Sequence, residues 1–194
     1  MTALALDAHF PFAKPSRRQP DHSMDEAKFE SLYRRIASSV WSYLFRLTGD
    51  AAAADDLLQK AFFRVLRTNP AVESDDHLRR YVFKVATNLA FDHFRETKRE
   101  REYASAAPRG AVRPEAMELR HDMMRVFAEL KPQERALLWL AHVEESNHDE
   151  IGDALGLKSK SVRVLLFRAR KRLGELLAKK GLAPSKSAIA EVTR

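Results

Sequence analysis

Apolar positions at three- and four-residue spacing run through most of the chain and predict helices. Phe29, Leu32, Tyr33, Ile36, Val40, Tyr43, Leu44 and Leu47 mark a buried stripe on a first helix that begins at about Asp25, because a 3.6-residue period returns such positions to one face. Gly49-Asp50 interrupts the stripe. Asp50 is placed to cap a second helix, AAAADDLLQKAFFRVLR, which ends before Asn69-Pro70. After the polar connection VESDDH comes a third, HLRRYVFKVATNLAFDHFRETKRER, with Leu78, Val82, Val85, Leu89 and Phe94 among its apolar positions. Periodicity fades near Tyr103, where ASAAPRGAVRP combines two prolines, a glycine and small residues, the composition of a linker. Helix resumes near Glu115 with MELRHDMMRVFAEL and stops at Lys131-Pro132. It restarts as QERALLWLAHV, with Pro132 suited to a first turn. Two further helices follow, one around HDEIGDAL and one in LGLKSKSVRVLLFRARKRL. No strand alternation and no internal repeat stands out.

The expected fold class is therefore all-α: two small helical domains joined by a flexible linker, the C-terminal one containing a helix-turn-helix. The expected boundaries are a flexible N-terminal arm over residues 1–23, which holds Pro11, Pro15 and Pro20, a first domain over 24–101, a linker over 102–114, a second domain over 115–177 and a basic tail over 178–194. In the second domain, helix, sharp turn and helix follow one another as in a helix-turn-helix. Gly156 sits at the turn, where a residue without a β-carbon adopts the left-handed conformation cheaply. Ser159 or Ser161 is expected to cap the second helix, whose N-terminus would then present amide hydrogens to a phosphate.

Charge sharpens this picture. Residues 115–153 hold ten acidic and four basic side chains, whereas 154–173 hold none and seven. A helix that merely faces solvent usually interleaves both signs, because opposite charges four residues apart support each other. Unrelieved positive charge on an amphipathic helix points to a polyanion, whose binding removes the self-repulsion and releases counterions. The whole chain of 194 residues carries a formal charge of +7, which favours an anionic partner only weakly. It contains no cysteine, so disulfides, thiolate metal sites and a cysteine nucleophile are excluded. Its longest central apolar run, ALLWLA, is far shorter than the ~20 residues that span a bilayer. At the N-terminus the basic residues follow the apolar ones, the reverse of a secretory signal.

Four segments in order, LTGDAAAADDLLQKAFFRVLR, YVFKVATNLAFDHFR, ELKPQERALLWLAHVEESNHDEIGDALGL and SVRVLLFRARKRL, resemble bacterial RNA polymerase sigma factors. The two-module layout is similar to the extracytoplasmic-function (ECF) group, and the resemblance covers about residues 25–177. It implies that the D-L-x-Q helix binds a coiled coil on the largest polymerase subunit through Asp56, Leu57 and Gln59, with Asp55 beside them. It also implies that the helix carrying Ala86, Asn88, Ala90 and Asp92 engages and melts the minus-ten promoter element. Asn88 is expected to touch a base, because its amide offers both a donor and an acceptor. Tyr81, Phe83 and Lys84 are expected to line the same surface, and Arg79, Arg80, Lys84 and Arg95 suit phosphates. The helix-turn-helix is expected to read the minus-thirty-five element through Lys158, Lys160, Ser161, Arg163 and Arg168. Ser159-Lys160-Ser161, Val164, Leu165, Gly152 and Tyr81 depart from the residues usual in the family at those positions.

The resemblance implies a cytoplasmic protein whose partners are core RNA polymerase, promoter DNA and an anti-sigma factor, with no membrane insertion and no cofactor. No catalysis by the chain is expected. No HExxH occurs, His142 and His148 are wrongly spaced for two ligands on one helix face, and GLKSKS lacks the pattern of a phosphate loop. The alternative is a free-standing helix-turn-helix regulator that binds operator DNA without polymerase. Such a protein would have no need of the acidic DDLLQ surface.

Overall fold

The computed structural model describes residues 24–71, 74–103 and 118–182. The arm, most of the linker and most of the C-terminal tail expected above lie outside them. Within the described residues the chain forms seven helices and no strand: α1 (Glu26–Thr48), α2 (Ala51–Thr68), α3 (Asp75–Tyr103), α4 (Glu118–Ala128), α5 (Pro132–His142), α6 (His148–Leu155) and α7 (Ser159–Lys179).

Helices α1, α2 and α3 make a first bundle. Leu32, Ile36, Val40, Leu44 and Leu47 of α1 face Ala54, Leu58, Ala61 and Val65 of α2 and Leu78, Val82 and Ala86 of α3 in one buried core. Burial of side chains of this size stabilises by about 1.5–3 kcal/mol each, as an upper bound. Asp50 caps α2 as expected, its carboxylate accepting from the backbone N–H groups of Ala52 and Ala53. Tyr33, placed on the buried stripe by its spacing, is instead 42% exposed. It lies at the rim of the core, where it meets Phe62 edge-on at 4.8 Å between ring centroids.

A polar link crosses this core. Thr87 is buried and donates its hydroxyl hydrogen to the Phe83 carbonyl at 2.7 Å. A hydroxyl has one hydrogen to give, so Tyr43 must be the donor in the 2.8 Å contact between its phenol and Thr87 Oγ1. Burial pushes the Tyr43 phenol far above its ordinary range.

Helices α4 to α7 make a second bundle around Val126, Leu137, Leu140, Ile151, Val162, Leu166 and Ala169. Pro132 is the first residue of α5, and Glu134 reaches back to accept from the Lys131 N–H at 2.8 Å. Asn147 caps α6 through the N–H groups of Asp149 and Glu150, and Glu150 answers with an acceptor for the Asn147 N–H. Gly156 ends α6 with φ 65°, the left-handed turn anticipated for it, and Leu157 N–H returns to the Gly152 carbonyl at 2.8 Å. The expected serine cap of α7 is not formed. The cap position falls on Lys158, with no side-chain hydrogen bond, and Ser159 is already helical. The chain leaves the turn one residue too early for a serine hydroxyl to face the free amides.

The two bundles pack against each other. Helix α5 lies on α1 and α6 on α3. The Tyr43 and Trp139 rings meet at 6.2 Å between centroids, and Arg135 donates from Nη1 to the carbonyls of Leu47 at 2.6 Å and Arg46 at 3.2 Å, at the end of α1.

Candidate functional site

Three faces carry the residues singled out from the sequence. The first is the outer side of α2. Asp55, Asp56 and Gln59 are exposed together over little more than one turn. Asp55 accepts from the Trp41 indole at 2.6 Å, which fixes its carboxylate against α1. Asp56 pairs with Lys60 one turn on, at 2.6 Å. Leu57 points the other way and is 3% exposed, within the hydrophobic core. Its side chain holds α2 in place rather than forming part of the surface. One turn beyond Gln59, Phe63 is 60% exposed with the Arg67 guanidinium 5.7 Å from its ring centroid.

The second face belongs to α3, and the structure divides the residues grouped there by sequence. Tyr81, Lys84, Asn88 and Arg95 recur at three-, four- and seven-residue steps, so they share one side of the helix. Tyr81 is half-buried; the other three are exposed. Arg95 pairs with Asp92 on its own helix. Phe83 faces inward at 3% exposure, edge-on to Tyr43 with 5.5 Å between centroids. It is a core residue, not a platform on which a base could stack.

Arg79 and Arg80 turn towards the second bundle. Arg79 Nη2 lies 2.5 Å from Glu144 Oε2, and Arg80 Nη1 lies 3.1 Å from Glu150 Oε1. The Glu144 side chain is only 4% exposed, and the Trp139 indole also donates to it at 3.3 Å. Burial pushes the Glu144 carboxyl above its ordinary range, against the opposing pull of Arg79 and of the indole. Together these residues line a cleft of about 310 Å³ between the bundles, with Phe83 and Leu140 at its back. Arg135, in the same interface, has its guanidinium pulled below its ordinary range by burial. Nothing in the helical spacing of Glu144, Glu150 or Arg135 marks them as interface residues. Each reads as a solvated charge or a cap.

The third face is α7 with the turn before it. Lys158, Lys160, Ser161, Arg163 and Arg168 are all exposed, and Val162, Leu166 and Ala169 form the opposite, buried edge. Phe167, 66% exposed, stands among these cations. Among the described residues no group of three or more histidine, aspartate or glutamate side chains gathers as metal ligands would, and no helix is long and apolar enough to cross a membrane.

Two family models match the chain, Sigma-70 region 2 over residues 32–100 and Sigma-70 region 4 over residues 120–173. The RNA polymerase sigma factor CarQ of Myxococcus xanthus is 30% identical over 154 residues, which cover 77% of this chain and 88% of that protein. The chain belongs to the ECF RNA polymerase sigma factors. The ECF RNA polymerase sigma factor SigE of Mycolicibacterium smegmatis is also 30% identical, over 82% of this sigma factor and 65% of that protein. The fold is that of the sigma factor RpoE solved with the anti-sigma factor NepR from Bartonella quintana. The TM-score is 0.67 at 19% identity, covering 77% of this chain and 96% of that one. The first bundle thus corresponds to region 2 and the second to region 4. As a sigma factor the protein is a transcription initiation factor that binds core RNA polymerase and directs it to promoters.

Proposed function

We propose that this sigma factor divides its work among the three faces. The α2 surface of Asp55, Asp56 and Gln59 docks on the coiled coil of the largest polymerase subunit. Leu57 serves that face from beneath, as the core residue that sets the direction of its neighbours. The α3 stripe of Tyr81, Lys84, Asn88 and Arg95 takes the minus-ten element. Lys84 and Arg95 hold phosphates there, and Asn88 pairs with the edge of a base drawn out of the stack. Arg79 and Arg80 extend the same phosphate track, and Phe83 supports it from the core.

The α7 surface of Lys158, Lys160, Ser161, Arg163 and Arg168 enters the major groove of the minus-thirty-five element, where a helix N-terminus meets base edges. The chemistry of RNA synthesis belongs to the polymerase; this chain acts by binding alone, in the cytoplasm and without a cofactor. An anti-sigma factor that holds the two bundles together is the expected negative partner. Residues 24–101 and 115–177 are the two working units, with the linker over 102–114 between them and the arm (1–23) and tail (178–194) outside.

The observation that carries the reading is the joint exposure of Asp55, Asp56 and Gln59 at the motif positions of α2, a surface that a free-standing DNA-binding repressor would not need. Purified core polymerase should be retained by the immobilised wild-type chain. The Asp56→Ala, Gln59→Ala double variant should retain about tenfold less, the loss of about 1.4 kcal/mol expected when charge-assisted contacts are removed from an interface. Run-off transcription should fall in parallel. Equal retention by both proteins would overturn the docking assignment.

A further inference from the structure

We propose that the second bundle is an intramolecular cover for the α3 face: Glu144 and Glu150 occupy the arginines that would otherwise hold DNA phosphates, and Arg135 latches the cover to α1. This deepens the reading of α3 as the minus-ten surface and rests on it.

Three contacts support the cover, and they come from different elements. Arg79 meets Glu144 at 2.5 Å and Arg80 meets Glu150 at 3.1 Å, both across the boundary between bundles. A carboxylate presents a guanidinium with the same planar pair of oxygens that a phosphate does, so the two glutamates compete with the DNA backbone for the same groups. Away from those pairs, Arg135 reaches across to the last carbonyls of α1, with Nη1 2.6 Å from the Leu47 oxygen. Helix ends leave such carbonyls without partners inside the helix, and a buried cation there also meets the negative end of the α1 dipole.

The cover is selective. Asp55, Asp56 and Gln59 remain exposed while it is in place, and so do the α7 cations. Only the Arg79–Phe83 end of α3 is closed off, while Lys84, Asn88 and Arg95 lie beyond its edge. The closed chain can therefore dock on polymerase but has to part its two bundles before α3 receives a full run of DNA backbone.

The test turns on Arg135. Because the chain has no cysteine, a fluorophore pair can be placed on Ser38→Cys and Ala178→Cys, both exposed, to follow the separation of the bundles in the full-length protein. A fluorescein-labelled single-stranded DNA of randomised sequence, read by anisotropy with unlabelled protein, reports access to α3. Arg135→Met removes a positive charge, so electrostatics alone would weaken DNA binding. The cover requires the opposite: lower energy transfer together with about tenfold tighter DNA binding, the gain that follows if about one chain in ten is open before the change.

A second variant, Glu144→Lys, places like charge against Arg79 and should also lower the transfer. Adding Arg79→Glu to it should restore the transfer without restoring the DNA binding. Glu150 is left intact because it also caps α6. If Arg135→Met proves unfolded by circular dichroism, the Glu144→Lys pair decides. Transfer unchanged in every folded variant overturns the cover itself. Lower transfer with no gain in DNA binding by Arg135→Met overturns the masking and, separately, the assignment of the Arg79 end of α3 to DNA.

Discussion

Gly152 sits buried in α6, where a β-carbon would lie 2.7 Å from the carbonyl oxygen of Leu157. That oxygen belongs to the turn that aims α7. A glycine inside a helix ordinarily costs about 1 kcal/mol relative to alanine, so Gly→Ala in a helix usually stabilises. Here the near contact is with backbone, which cannot rotate aside, and the cost of overpacking at about 1–3 kcal/mol exceeds the propensity gain. Gly152→Ala should therefore lower the denaturant midpoint at constant m-value and weaken binding to promoter DNA. A higher midpoint would mean that the turn shifts freely. In the first bundle, Tyr43 and Thr87 make the converse point. A polar pair in the core is tolerated because Tyr43 donates to a hydroxyl that has already given its own hydrogen to Phe83.

At the scale of one helix, α7 carries its cations along an exposed side, but they need not act alike. Arg163 lies in the first turns, the part of a recognition helix that meets base edges, whereas Arg168 is more than one turn further on. In the reconstituted holoenzyme, Arg163→Ala should cost about 1–3 kcal/mol on the preferred promoter and relax specificity at one position. Arg168→Ala should weaken binding evenly across sequences and reduce the slope of log K against log salt by about 1. Identical behaviour of the two variants in both measurements would place both residues on the backbone.

The elements themselves were legible in the sequence, down to Asp50 as the cap of α2, Pro132 at the head of α5 and Gly156 at the turn. The direction of single side chains was legible only in part. Ala54, Leu57, Leu58, Ala61, Phe62 and Val65 form a continuous apolar stripe on α2, and that spacing alone assigns Leu57 to the core. The motif resemblance grouped it with its exposed neighbours because a motif records position and not orientation. Phe83 was misplaced in the same way. The Ser159 or Ser161 cap failed for another reason. Where a chain leaves a tight turn depends on a backbone hydrogen bond, Leu157 to Gly152, which residue type does not reveal.

What no local pattern could reveal is how the halves meet. Arg79 and Glu144 are 65 residues apart in sequence, and each taken alone is an ordinary polar residue on an amphipathic helix or its flank. Their pairing is also energetically ambiguous. Burial opposes the charge on Glu144 while Arg79 favours it, and such pairs often contribute little net stability although breaking one is costly. The coupling between bundles must therefore draw on the Tyr43–Trp139 contact and the Arg135 latch as well. If those contacts join the halves, the wild-type chain should melt in one calorimetric transition, with equal calorimetric and van't Hoff enthalpies. Arg135→Met should separate the transition into two, or raise the ratio of those enthalpies above one. Its cost should reflect the orphaned Leu47 and Arg46 carbonyls, about 1–3 kcal/mol if they stay buried and less if water reaches them. Two separate transitions in the wild type would mean that the bundles touch without sharing stability. In that case any closed form in solution would need a partner to hold it.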